Sequence, residues 1–170
     1  MAGLKIYRIL TYILLPFALL LILNIAGSLV MSFGVPLLLL SNFILACLPI
    51  YIFTSSYFLL FGVFKAKNCK HSLKDWIKVN AYVAILFSVL MIMGCFAILM
   101  AINNPVLLTE LMSKLNTQGM PGVTKQNNVQ LIQLLKTSVY IMLPFSIALL
   151  AHIIFTFKAI KLYGHVFDEA

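Results

Sequence analysis

Ile9–Phe64 reads ILTYILLPFALLLILNIAGSLVMSFGVPLLLLSNFILACLPIYIFTSSYFLLFGVF, 56 residues between Arg8 and Lys65 without one Asp, Glu, Lys or Arg. A helix needs about 20 apolar residues to cross roughly 30 Å of hydrocarbon. The run is therefore too long for one crossing and suits two. Turn formers crowd one place inside it: Ser28, Ser32, Gly34 and Pro36. The first span is placed at 9–30. The second starts at Pro36, because the first position of a helix has no use for the missing N–H, and covers 36–64. At about 43 Å it exceeds the hydrocarbon thickness and must tilt, bend or project into the interface.

Two more charge-poor apolar runs give spans at 78–102 and 138–158, with 103–137 as an extracytoplasmic loop. The fold class expected is all-α: an integral membrane four-helix bundle forming a single transmembrane domain over residues 1–170. Composition agrees. With 63% hydrophobic and 9% charged residues and a mean hydropathy of +1.08, a soluble chain of this size could not cover its apolar surface. The start resembles a secretory signal, with Lys5 and Arg8, an apolar core and then Ala26-Gly27-Ser28. The apolar stretch is longer than the 7–15 residues of a signal core, so it is kept as a helix.

The net charge of +8 is distributed by loop. Lys5, Arg8, Lys65, Lys67, Lys70, Lys74, Lys78, Lys158 and Lys161 fall on one side of a four-span topology, and Lys114, Lys125 and Lys136 on the other. This asymmetry predicts cytoplasmic N- and C-termini. It assigns the basic loop to anionic headgroups of the lipid bilayer rather than to nucleic acid. No Asn-x-Ser/Thr sequon occurs, which is compatible with a bacterial inner membrane, the favoured cell membrane, and equally with a eukaryotic protein that is never glycosylated. Cys47, Cys69 and Cys95 set no disulfide framework and no zinc spacing.

Between spans two and three, Ser72 and Asp75 have capping-box spacing, so the third helix is expected to start near Leu73. That start puts Trp76 at headgroup depth, with Lys74 and Lys78 beside it as interface anchors. In the outer loop, Asn103-Asn104-Pro105 ends the third helix and Pro105 begins a short amphipathic one. Leu107, Leu108, Leu111, Met112 and Leu115 lie on one face, and Thr109, Glu110, Ser113 and Lys114 on the other. Gly119-Met120-Pro121-Gly122 breaks the chain. A polar stretch from about Lys125, with Val129, Ile132 and Leu135 on one side, then leads into span four.

Small residues mark helix contacts in lipid. Ala81, Ala84, Ser88 and Cys95 form one such seam on the third helix, and Gly94, Ala97 and Ala101 a second. Ser146, Ala148 and Ala151 do so on the fourth helix. Pro16, Pro49 and Pro144 lie inside spans, where bends are expected. Asn24, Asn42 and Asn80 are candidates for interhelical bonding.

The one ionisable side chain deep in a span, tyrosines apart, is His152, about 9 Å of helical rise from Lys158. An intramembrane titratable group is a functional candidate. Counting depth from each span's inner end gives Tyr57, Ser56, Tyr82 and Tyr12 as its partners. No haem, metal or other cofactor is expected, since His71 and His165 lie outside the spans. The acids Asp75, Glu110, Asp168 and Glu169 are outside them too, so no catalytic carboxylate pair is available and no enzyme is expected.

The function expected is that of a non-enzymatic accessory, assembly or scaffold component of a membrane complex. A homo-oligomer or membrane-protein partner would be met through helix three or the outer loop. The alternative is a small oligomeric transporter or channel subunit using His152 and the kinked helices.

Overall fold

A computed structural model of the chain describes residues 2–32, 34–117 and 128–167. Among these the regular structure is entirely helical. Helix α1 is Ala2–Ser32, α2 is Pro36–Tyr57, α3 is His71–Asn103, α4 is Pro105–Thr117 and α5 is Asn128–Leu162. Helix α2 runs on as a π-helical segment, Phe58–Val63, and a 3₁₀ turn, Gly164–Phe167, follows α5. Four helices are long and apolar enough to cross a membrane: Gly3–Val30, Pro36–Val63, His71–Asn103 and Gln130–Leu162.

The turn expected at Ser28–Pro36 is where the first two helices part. Gly34 has φ of 105°, a conformation that L side chains rarely adopt. Val35 is extended and Pro36 opens α2, in whose first turn Leu38 N and Leu39 N donate to Val35 O at 3.0 and 3.2 Å. Asn42 then clasps the hairpin. Ser28 Oγ donates to Asn42 Oδ1 at 2.8 Å, and Asn42 Nδ2 donates to Ser32 Oγ at 2.7 Å. The interhelical role expected of Asn42 is thus observed. Asn24 is exposed, and Asn80 donates within its own helix to Trp76 O at 2.8 Å.

Helices α1, α3 and α5 outrun the charge-free runs that revealed them, whereas α2 with its π-helical segment stays inside one. Helix α3 starts at His71 and α5 at Asn128. A charge-free run marks the part that must lie in hydrocarbon, whereas a helix continues for as long as its backbone bonds can be made. The capping box expected at Ser72–Asp75 does not form. Lys70 O accepts from Leu73 N at 2.9 Å, which puts Ser72 inside the first turn. Asp75 instead faces His71, four residues back, at 3.6 Å. At the far end α4 starts at Pro105 as expected, and Asn104 Oδ1 accepts from Val106 N at 3.0 Å and caps it. Of the expected apolar face Leu108 and Leu111 are half-buried but Leu107 is exposed, as are Thr109, Glu110 and Ser113. Met112, Lys114 and Leu115 side chains, the Gly119–Gly122 break, Lys125, Asp168 and Glu169 lie outside the described residues.

The structure comprises two units, residues 1–87 with 148–170, and residues 88–147. In the second, Ser88, Cys95, Ala101, Val139 and Ser146 are buried, while Gly94 and Ala97 are exposed. In the first, Leu14, Leu48, Ile52, Phe58, Ile77, Ala81, Ala84 and Leu149 are fully buried. Leu20, Leu23, Leu37 and Phe43 are more than 60% exposed, although Thr11, Ser55 and His152 are at most 1% exposed. Large apolar groups outside and polar groups inside is the arrangement a lipid solvent rewards.

The end of α2 is held by the last residues of the described chain. Phe64 N donates to Leu59 O at 3.1 Å, the wide bond of a π turn, and Cys69 N donates to Val166 O at 2.9 Å. Phe58 and Phe167 stack at 5.0 Å, with Lys74 Nζ 5.8 Å from the Phe167 ring centre. Gly62 sits at the centre: a Cβ there would meet Phe58 Cδ2 at 3.0 Å, Cys69 Sγ at 3.1 Å and Val166 Cγ1 at 3.3 Å. Burial pushes the Cys69 thiol above its ordinary pKa, with the Lys67 ammonium opposing.

Gly62→Val overpacks this junction and should destabilise the chain by about 1–3 kcal/mol in detergent thermal unfolding. Maleimide labelling of Cys69, slow in the wild type, should accelerate in the same variant.

Candidate functional site

Three spans each carry a pair of polar residues four apart: Tyr7 and Thr11 on α1, Tyr51 and Ser55 on α2, His152 and Thr156 on α5. Four residues is just over one helical turn, so each pair lies on one face. All six side chains are at most 1% exposed. Each hydroxyl of the Ser/Thr members bonds back along its own helix: Thr11 Oγ1 to Tyr7 O at 2.9 Å, Ser55 Oγ to Tyr51 O at 2.7 Å, and Thr156 Oγ1 to His152 O at 2.8 Å. Such a hydroxyl places its proton locally and keeps lone pairs for a neighbouring helix.

His152 uses both. Its Nε2 is 3.0 Å from Thr11 Oγ1 and its Nδ1 is 2.9 Å from Tyr51 Oη. Tyr51 Oη is also 2.9 Å from Thr156 Oγ1, which is 3.0 Å from Tyr7 Oη. The Tyr7 hydroxyl donates in turn to Ser55 O at 3.4 Å. With the Thr11 proton on the Tyr7 carbonyl, Nε2–H donates to Thr11 and Nδ1 accepts from Tyr51, so one neutral tautomer satisfies both ring nitrogens. The imidazole is also flanked by two phenol rings, Tyr7 tilted at 4.9 Å and Tyr51 edge-on at 5.6 Å.

The expected partners do not meet His152, and the assignment is corrected accordingly. Tyr57 is 45% exposed and stacks on Phe61 at 4.7 Å. Tyr82 is 65% exposed and lies 5.9 Å from the Phe157 ring. Tyr12 is 49% exposed, with the Arg8 guanidinium 5.7 Å from its ring centre. Ser56 is buried but donates to Ile52 O at 2.5 Å on its own helix. Depth counting failed because it ignores azimuth. Thr11 and Tyr12 have nearly the same height yet point about 100° apart. On α2 the count also crossed the π-helical segment, where the ordinary register is broken. The signal that locates the true partners is the four-residue spacing of polar residues on each span.

The site offers hydrogen-bond donors and acceptors but holds no carboxylate. Among the described residues no group of three His, Cys, Asp or Glu could hold a metal ion. The anchors expected at the interface occupy the first two turns of α3, with Trp76 58% exposed and Lys74 and Lys78 half-buried. No family model matches the chain, and no curated protein or solved structure matches it.

Removing the imidazole leaves a hole and two hydroxyls short of a partner, so His152→Ala should cost about 2–4 kcal/mol in reversible unfolding. A double-mutant cycle of Thr11→Val with His152→Leu should give a coupling energy of about 0.5–1.5 kcal/mol. Additive losses would show that the pair does not interact.

Proposed function

We propose that this chain is a small, non-enzymatic, multi-pass membrane protein that serves as an accessory, assembly or scaffold component of a membrane complex. One observation carries the reading: His152, the imidazole that lies within a charge-free run, is fully enclosed, with both nitrogens occupied by hydroxyls of two other helices. A catalytic or transport group has to meet a substrate; this one is committed to holding α1, α2 and α5 together. Asp75 and Glu110 lie outside the charge-free runs, which supports the same view.

The distribution of Lys and Arg supports cytoplasmic termini and a cytoplasmic 65–78 loop, in a cell membrane, with the bacterial inner membrane favoured. Helix α4 then belongs to the extracytoplasmic loop. A homo-oligomer or a membrane-protein partner would be met there or along α3, where Gly94 and Ala97 leave a smooth exposed face.

A second reading, a small oligomeric transporter or channel subunit, draws on the same network. Every hydroxyl along Thr11–His152–Tyr51–Thr156–Tyr7 can either donate or accept, so the chain of bonds could reverse its direction.

Reconstituted in liposomes, wild type and His152→Ala should give equal proton flux, no greater than protein-free vesicles, between about pH 5.5 and 8. Flux that the substitution abolishes would favour the transport reading. In native membranes, a photocrosslinker at Val106 or Gln130 should capture a discrete partner, and a purely monomeric, uncrosslinked protein would overturn the scaffold role.

A further inference from the structure

Helix α2 presents one continuous stripe, Ala46, Pro49, Ile50, Phe53, Thr54 and Tyr57, at spacings of three and four. Its first five members line a trough of about 450 Å³ against Ile22, Ala26 and Leu29 of α1, and all of the lining except Thr54 is apolar. Its last two, Thr54 and Tyr57, line a second cavity of about 570 Å³, together with Lys67, Lys70, Ser72 and Trp76. Thr54 belongs to both walls, so the trough and the basic mouth adjoin along one helix face. From Ala46 to Tyr57 this path is about 16 Å long.

The chemistry changes along it in one direction. The inner part offers hydrocarbon contacts, with Ala26 and Ala46 too small to fill the space. At the mouth two rings, Tyr57 and Trp76, are 45% and 58% exposed. Beyond them Lys67 and Lys70 are exposed, and among the described residues no carboxylate lines either cavity. Asp75, the acid closest along the chain, is turned to His71 at 3.6 Å. An aromatic pair between an apolar slot and free ammonium groups is the sequence of environments met on passing from acyl chain to headgroup.

We propose that this cleft is a binding site for one anionic glycerophospholipid of the bilayer, its acyl chain along the α2 stripe and its phosphate between Lys67 and Lys70. The site lies on a different face of α2 from Tyr51 and Ser55, so it stands or falls independently of the role given to His152.

Native mass spectrometry of the full chain released from detergent, titrated with phosphatidylglycerol and phosphatidylcholine of identical acyl chains, tests this. One phosphatidylglycerol should bind in preference to phosphatidylcholine. Lys67→Gln/Lys70→Gln should weaken it roughly thirtyfold, and Lys5→Gln/Lys161→Gln, with the same loss of charge away from the cleft, by less than about twofold. Ala46→Phe, filling the trough with both lysines intact, should weaken it as well. Equal loss from the two lysine pairs would mean diffuse attraction and overturn the proposal, as would equal binding of the two lipids. Displacement of the lipid by water-soluble glycerol phosphate would make the occupant a free phosphate instead. A folded Ala46→Phe protein of unchanged affinity would exclude the trough. Should that variant not fold, the lysine pairs and the glycerol phosphate competition still decide.

Discussion

A polar group inside hydrocarbon has no water to fall back on, and the rest of this structure follows from that. Tyr7, Thr11, Tyr51, Ser55, His152 and Thr156 could be satisfied only by one another and by helix carbonyls, and the contacts that achieve this span α1, α2 and α5. Each interhelical bond is worth little by itself, about 0.6 kcal/mol on average in membranes. Their value is specificity: a small rotation of any of the three helices would leave several buried groups unpaired at once.

The α1–α2 hairpin shows the same logic at its other end. Asn42 bridges Ser28 and Ser32 close to the Gly34 turn, while Tyr7 and Tyr51 work near the opposite end of α1. Polar clasps thus fix the hairpin at two heights, and between them the contacts are apolar and less directional. It is there that the trough opens, in the stretch where Ala26 faces Ala46. Small residues permit close approach of helices; along the trough the same residues leave space unfilled.

The junction of α2, the 65–70 loop and the 3₁₀ turn completes the first unit. The helix ends in a π-helical segment beside Gly62, where no Cβ fits without displacing Phe58, Cys69 or Val166. Phe167 seals it by stacking on Phe58. The basic mouth of the cleft is built on this junction, so the residues that carry its charge, Lys67 and Lys70, flank a buried anchor at Cys69 rather than a free loop.

Four apolar helices, the hairpin turn at Gly34–Pro36, the start of α4 at Pro105 and the seam of Ala81, Ala84 and Ser88 were all legible in the amino-acid order. Each depends on local rules: hydrophobic length, proline and glycine geometry, and spacing along one helix. His152 stood out for the same reason, as an imidazole in an otherwise uncharged run. Its partners were not legible from depth, because height along a span says nothing about which way a side chain points. Only tertiary packing, which sets the rotation of each helix about its axis, chose Thr11 over Tyr12 and Tyr51 over Tyr57. The long charge-free run by itself determined the solvent; the packing decided how the few polar groups inside it escape that solvent together.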